Sequence, residues 1–407
     1  MDYQTWFAGR RGHWGWTLGL TLVFCAPALS GIIGRLGKSG MAGWGADFEA
    51  IVCAAQRARD GLTLYPPTEG FVCEGLSPAN YLYTPWVAET VAAFSSIIPF
   101  SAMLSIYPVI FAASILIAAF VPVIRPGTPG TYLERAPFLG FATGSMLHWG
   151  NVASLLHSLI ALSVRWPPVL IAAILLAGAV KPTYLTFLLV ILLMDMNLFK
   201  RAAIFIAAAI AGLAPTVLFL VAGGADVTAW QSVLNDIGTD IAPGIGFLGW
   251  FHMIGITSDA AVFWIAYVLF AMLMVLSATA FAERWLPKGR AGQRQRIWLG
   301  LAVGTLINFR IMEYDMFLLA PGLVALVYAS ALSARTWRGR PIRHWLAWMI
   351  IGAACLVVFM NVADLADYAG QTGTFLLSAA ILIAGLPEIR PAIAARPELG
   401  FLNLKKA

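Results

Sequence analysis

The sequence predicts an all-α integral membrane protein of about twelve transmembrane helices, with a large first outer loop that carries interfacial helices. Three observations predict it. Hydrophobic residues make up 60% of the 407 residues and charged residues only 11%, against roughly 45–50% and 25% in soluble domains. The apolar residues gather into stretches long enough to cross, or half cross, a bilayer. Lys and Arg fall unevenly between the intervening loops, as they do in multi-pass proteins. A soluble fold could not hide so much apolar surface. The formal charge of +6 lies in short loops without interleaved aromatics, so the partner it implies is the bilayer and not a nucleic acid.

The first stretch, 15–34, follows Arg10 and Arg11 and lacks a small-residue cleavage site with a polar continuation, so it reads as a retained helix. The others are 102–123, 136–148, 151–164, 168–180, 182–197, 201–222, 260–282, 296–309, 316–333, 345–361 and 372–387. The four between 136 and 197 are short and form two pairs, broken at Trp149-Gly150-Asn151 and at Lys181-Pro182. Such breaks are tolerated at membrane depth only where protein or a wet cavity covers the freed backbone, so they point to a cavity. No repeat and no low-complexity linker appears, and residues 1–407 read as one domain.

With a cytoplasmic N-terminus, the outer side holds only Arg35, Lys38, Arg57, Arg59, Lys181 and Arg310, and the other 20 of 26 Lys and Arg are cytoplasmic. Both termini are then cytoplasmic. Two crossings hinged at Pro99 would invert every later loop, so one crossing at 102–123 is expected, with 86–98 at the outer interface.

The longest polar segment follows the first helix and opens with Gly45-Ala46-Asp47-Phe48-Glu49. Phe48, Ile51, Val52 and Ala55 recur at i, i+3, i+4 and i+7, which predicts an amphipathic helix over 45–60. Asp47 sits at the edge of its apolar stripe, in the first turn. Two readings stay open. It is either an acid favoured by the helix dipole or a general base at the mouth of a bilayer pocket. Glu49 points about 200° away, so the two carboxylates need not form a pair. Cys53 and Cys73 share this loop and are either two thiols or, if it faces an oxidising compartment, a disulfide. Cys25 and Cys355 read as packing residues inside spans.

Lys181 interrupts an apolar stretch, and a charge at such depth is a functional hypothesis by default. Arg310 belongs to Asn308-Phe309-Arg310-Ile311-Met312-Glu313-Tyr314-Asp315. A phosphate suits both cations. The plainer alternatives are snorkelling for Lys181 and an internal ion pair with Glu313 or Asp315 for Arg310. The aromatics of Asn80-Tyr81-Leu82-Tyr83-Thr84-Pro85-Trp86 are either belt residues or a floor for a sugar. His148 and His157 flank the Asn151 break, and His252 lies in the second large outer loop. A lone histidine is more often a hydrogen-bonded packing residue than a ligand. No zinc, calcium or nucleotide-phosphate motif is present, so neither a metal nor a cofactor is expected.

In order, Asp47-Phe48, Gly61-Leu62-Thr63-Leu64-Tyr65, Tyr83-Thr84-Pro85, Gly150-Asn151, Lys181-Pro182 and Glu313-Tyr314-Asp315 resemble the polyprenyl-phosphate-sugar-dependent membrane glycosyltransferases of the C-type fold. Among these the chain is similar to glycosyltransferase family 87, the mycobacterial-type mannosyltransferase group. The resemblance covers most of the chain, through short motifs. It implies Asp47 as the base, and Tyr81, Tyr83 and Pro85 as the family's tyrosine–proline element. The family's Gly-Gln pair stands here as Gly150-Asn151.

The expected activity is therefore transfer of a hexose or pentose, of mannose or arabinose type, from a polyprenyl-phosphate donor to a periplasmic glycolipid or glycan, with inversion. Asp47 would be catalytic. Lys181 and Arg310 would bind the donor phosphate, and Tyr81, Tyr83, Asn151, His252, Glu313, Tyr314 and Asp315 the substrates. The expected location is a bacterial inner membrane, with the site facing the periplasm. The alternative is a secondary transporter or a lipid-linked-sugar flippase, which broken helices and intramembrane charges also suit. The absence of a two-fold repeat argues against it. An O-antigen-type ligase would want basic residues in the second outer loop, which instead has Asp226, Asp236 and Asp240.

Overall fold

The computed structural model describes residues 13–39, 44–66, 73, 75–76, 80–125, 131–141, 149–236, 243–363 and 368–395. Arg10, Arg11, His148, Asp240, Arg396, Lys405 and Lys406 lie outside them, as do the side chains of Arg35, Lys38 and Glu313.

The described residues are mostly helical. They open with α1 (His13–Ser39), α2 (Ala46–Arg59), α3 (Pro85–Phe94) and α4 (Phe100–Ala119), the last running on through a wider turn at Phe120–Ile124. A short α5 (Tyr132–Arg135) leads into a 3₁₀ segment at Ala136–Phe141. Then come α6 (Ala153–Ser163), α7 (Pro167–Val180), a 3₁₀ segment at Pro182–Leu189 and α8 (Val190–Leu193). The second half holds α9 (Leu198–Ala222), α10 (Ala225–Asn235), α11 (Phe247–Met253), α12 (Ala261–Trp285) and α13 (Gly289–Ile307). A 3₁₀ segment at Glu313–Leu318 enters α14 (Leu319–Ser330). A small hairpin of β1 (Thr336–Trp337) and β2 (Arg340–Pro341) precedes α15 (Ile342–Ala363), α16 (Ala369–Gly385) and α17 (Ile389–Ala394).

Each of the twelve apolar stretches falls on helix, 136–148 only as far as Phe141. Among the described residues, four helical runs are long and apolar enough to cross a membrane: Phe100–Ile124, Leu198–Ala222, Ala261–Trp285 and Ala369–Ala394. Their outer faces are bare. Ile210, Leu218 and Val221 on α9 are 66%, 69% and 78% exposed, and Ile265 on α12 is 63% exposed. In water each would forgo about 1.5–3 kcal/mol of burial; in lipid the same faces are solvated, which marks a membrane protein. The buried core is a layer of α12, α13, α14, α15 and α16, with α6, α7 and α8 packed beside it. The 86–98 segment is the ten-residue helix α3, about 15 Å long, half a bilayer, followed by a turn and Pro99. This agrees with one crossing in that region.

Three arginines expected in cytoplasmic loops are instead buried: Arg135, Arg201 and Arg296. Each meets main-chain carbonyls that a helix end or tight turn leaves open. Arg201 Nε donates to Met196 O at 2.8 Å and its Nη1 to Leu192 O at 2.9 Å. Arg296 Nη2 donates to Ala282 O at 2.8 Å. Glu283 sits between these two guanidiniums, 2.6 Å from Arg201 and 3.2 Å from Arg296. This knot ties α9, α12 and α13 together at the end of the bundle where α8 also stops.

Cys53 and Cys73 form a disulfide. It clamps α2 to the loop that returns towards Tyr81. Closing about 20 residues in this way contributes about 3 kcal/mol in the chain-entropy model. The Cys53→Ser, Cys73→Ser double variant is expected to unfold earlier by that amount in denaturant. The same midpoint in reduced wild type and oxidised wild type would contradict it.

Candidate functional site

Gly45 adopts φ +84° and its carbonyl accepts from Phe48 N at 2.9 Å and Glu49 N at 3.0 Å, starting α2. The next residues place Asp47 on the first turn and Phe48 flat against Tyr107 of α4, ring centroids 3.9 Å apart and planes 1° from parallel. The Tyr107 hydroxyl donates to Gly150 O at 2.5 Å. Gly150 has φ +61°, and a Cβ there would lie 2.8 Å from Gly45 Cα. Only glycine admits both that backbone and that approach. The break between the first pair of short helices is thus pressed against the start of α2.

Asn151 follows. Its Oδ1 accepts from Ala153 N at 2.8 Å, which caps α6 and fixes which end of the amide is which. Its Nδ2 then donates to Asp47 Oδ2 at 2.5 Å and to Tyr314 OH at 3.1 Å. One oxygen of Asp47 is held by an amide, while Lys181 and Arg310 are close enough to act on its charge. Burial nevertheless wins and pushes the Asp47 carboxyl up from 3.8 to about 6; the two cations and the Asn151 bond pull the other way.

Lys181 is the second break. Pro182 supplies no N–H and keeps the residue before it out of the helical region, so α7 stops at Val180. The freed carbonyl of Ala179 accepts from Thr84 Oγ1 at 2.9 Å and from Trp86 Nε1 at 2.8 Å. The Tyr83-Thr84-Pro85-Trp86 run is therefore docked on the helix end beside Lys181. The Lys181 ammonium lies over the rings of Tyr184 (5.7 Å) and Tyr314 (5.8 Å). It forms no ion pair among the described residues.

Arg310 follows the end of α13, where Asn308 Oδ1 accepts from its N–H at 3.2 Å. The backbone there is held from the segment that leads into α11: Ile245 N donates to Ile311 O at 2.7 Å and Leu248 N to Phe309 O at 2.8 Å. Asp315 turns inward. Its Oδ2 accepts from Met312 N at 2.9 Å, and its Oδ1 lies 3.4 Å from His157 Nε2. Tyr184 OH is 3.1 Å from the same nitrogen. His157 is fully buried, and among the described residues its Nδ1 has no partner. A proton on Nδ1 would be an orphaned buried donor, so the ring proton sits on Nε2, facing Tyr184 and Asp315.

The structure brings Asp47, Asn151, Lys181, Arg310, Tyr314 and Asp315 into one cluster from four separate stretches of chain. Tyr83 joins them. Burial and the nearby Asp47 charge raise its phenol well above its ordinary range, so it is a neutral hydrogen-bond donor. Two expected substrate residues are placed elsewhere. The Tyr81 hydroxyl is committed to the backbone, donating to Thr84 O at 2.7 Å and accepting from Ala88 N at 3.0 Å. It shapes the loop and starts α3. His252 is exposed on α11. The Glu313 side chain lies outside the described residues. The sequence reading missed Tyr107, whose role depends on a stacking contact that spacing does not encode. It also missed Tyr184, three residues after Lys181, which enters the site because the turn at Pro182 is 3₁₀, with Tyr184 N donating to Lys181 O at 2.9 Å.

Among the described residues no three His, Cys, Asp or Glu side chains converge on a cation site. Comparison with family models, with curated proteins and with solved structures finds no match for this chain.

Proposed function

We propose that the chain is a membrane glycosyltransferase that moves a sugar from a polyprenyl-phosphate donor to a glycolipid or glycan hydroxyl, with Asp47 as the general base. The observation that carries this reading is the Asp47 carboxylate, held by Asn151 and close to two cations, where two broken helices meet the start of α2, while Asp315 is turned inward onto Met312 N and His157. An acceptor hydroxyl would give its proton to Asp47. Its oxygen would attack the anomeric carbon as the bond from that carbon to the donor phosphate breaks. The bonding pair would leave on the phosphate, where Lys181 and Arg310 would neutralise the charge. One base and one leaving group on opposite faces give inversion. The fold in this reading is a twelve-span C-type bundle in a bacterial inner membrane, with the Asp47 end facing the periplasm.

The test is purified protein in liposomes with synthetic polyprenyl-phosphate-linked mannose or arabinose and a lipid-linked acceptor, followed by mass spectrometry of released polyprenyl phosphate and product. Glycosylated product with no release of the lipid phosphate, or donor flipping without transfer, would count against it. Asp47 must be ionised to act, and its pKa is about 6. The turnover rate is therefore expected to rise with pH through about 6 and to level off above 7. A rate that falls across that range would remove Asp47 as the base.

A further inference from the structure

We propose that the β1–β2 hairpin and the start of α15 form a binding site for the phosphate headgroup of an anionic phospholipid. This rests on none of the catalytic reading above. The hairpin lies at the far end of α14 from Tyr314 and Asp315. It is tightly built. Thr336 pairs with Pro341 and Trp337 with Arg340. The two turn residues, Arg338 and Gly339, have φ +49° and +72°, the geometry of a two-residue turn with both residues left-handed. Gly or Asn is the usual choice at the first of these positions. The arginine held there is exposed.

The hairpin is also fixed to the body of the protein. Arg335 Nη1 and Nη2 donate to the carbonyls of Ala384 and Ile383 at 3.2 and 3.1 Å, at the end of α16. Glu388 lies 3.8 Å from the same guanidinium and is buried. Ile342 N donates to Arg335 O at 3.0 Å. Trp345 Nε1 donates to Trp337 O at 3.0 Å, and the two indoles meet edge to face at 4.6 Å.

Three guanidiniums remain. Arg338, Arg340 and Arg343 are exposed and form no ion pair or hydrogen bond among the described residues. Arg338 rests over the Trp337 ring at 4.9 Å. Helix α15 has no acid in its first turn, so its dipole adds to the positive field instead of offsetting it. Two large apolar rings of the same segment are also turned outward. Trp337 is 50% exposed and Trp348, one turn below Trp345, is 71% exposed. Trp348 lies on the apolar run Ile342–Val358, and so marks the depth at which headgroups give way to acyl chains.

A loop that sets topology by charge alone needs neither a fixed hairpin nor tryptophans. A soluble phosphate would use the guanidiniums and leave the rings bare. A phosphodiester between the arginines, with its glycerol and acyl chains against Trp337 and Trp348, uses both.

The experiment uses the full-length protein in neutral detergent, with phosphatidylglycerol, phosphatidylcholine or inorganic phosphate added, and reads bound lipid by native mass spectrometry and thermal midpoint. Phosphatidylglycerol is expected to be retained and to raise the midpoint, and phosphatidylcholine not. Each arginine removed should weaken retention roughly fivefold, so that R338A/R340A/R343A binds about a hundredfold less. Its midpoint in phosphatidylcholine should match the wild type, since these side chains are exposed and form no ion pair among the described residues. Trp337→Ala with Trp348→Ala should also lower retention. The proposal is overturned if the triple variant binds phosphatidylglycerol as the wild type does, or if both lipids bind equally. It is overturned too if inorganic phosphate protects as well as the lipid, or if the tryptophan pair can be removed without effect.

Discussion

Asp47→Asn is expected to abolish sugar transfer and, at neutral pH, to make the protein more stable. The first half follows from chemistry. A positioned base contributes about 10²–10⁴-fold, and an amide cannot take the proton. The second half follows from the cost of the charge. Folding raises the Asp47 carboxyl from 3.8 to about 6, which amounts to about 3 kcal/mol against the ionised form. A carboxyl raised by folding lends its full stability below pH 4 and loses it as pH climbs through 6. The Asn variant has no such loss. The gap between variant and wild type should open between pH 4 and 6 and stay open above. Thermal melts of both proteins across pH 4–8, with transfer assays at pH 7.5, check the two halves separately. An active variant removes the base assignment. An inactive variant that is no more stable at pH 7.5 removes the account of burial.

Lys181→Met is expected to lower kcat/KM for the polyprenyl-phosphate donor by about 10²–10³, the usual loss when one charge-stabilising group leaves a site. The loss should sit in turnover as well as in binding, because the phosphate is most negative as it departs. The ammonium also acts on Asp47, where it holds the pKa down. Without it the rising limb of the pH–rate profile should move to higher pH. Lys181→Arg keeps the charge and should leave that limb near 6 even if turnover falls. A Met variant whose limb stays in place would mean that the ammonium and the carboxylate do not share a site.

The helical spacing around Asp47, the two breaks and the run of twelve apolar stretches were all legible in the sequence, because each is a local pattern. What joins them is not local. Asn151 meets Asp47 across 104 residues of chain and Tyr314 across 163. Spacing could mark both as polar residues at helix breaks but could not aim one at the other. Tyr81 shows the opposite failure. An aromatic beside a proline at a membrane boundary looks the same from sequence whether its hydroxyl faces a substrate or a carbonyl. The buried arginines fail for a third reason. Hydropathy sees Arg201 and Arg296 only as charges at the ends of apolar stretches, while the structure uses their long stems and forked heads to close open carbonyls.

The knot of Arg201, Glu283 and Arg296 carries a consequence for how the chain is made. Its members emerge in the order cation, anion, cation, and the last is nearly 100 residues after the first. Helix α9 must enter the membrane with the Arg201 guanidinium still seeking its carboxylate, and so must keep that end close to water. Glu283 arrives with the last turn of α12 and Arg296 with α13, and only then can the three helix ends withdraw from water together. The two ion pairs that close these helix ends therefore both wait on Glu283. A chain that ends before residue 283 leaves Arg201 with the carbonyls of Met196 and Leu192 but without its carboxylate.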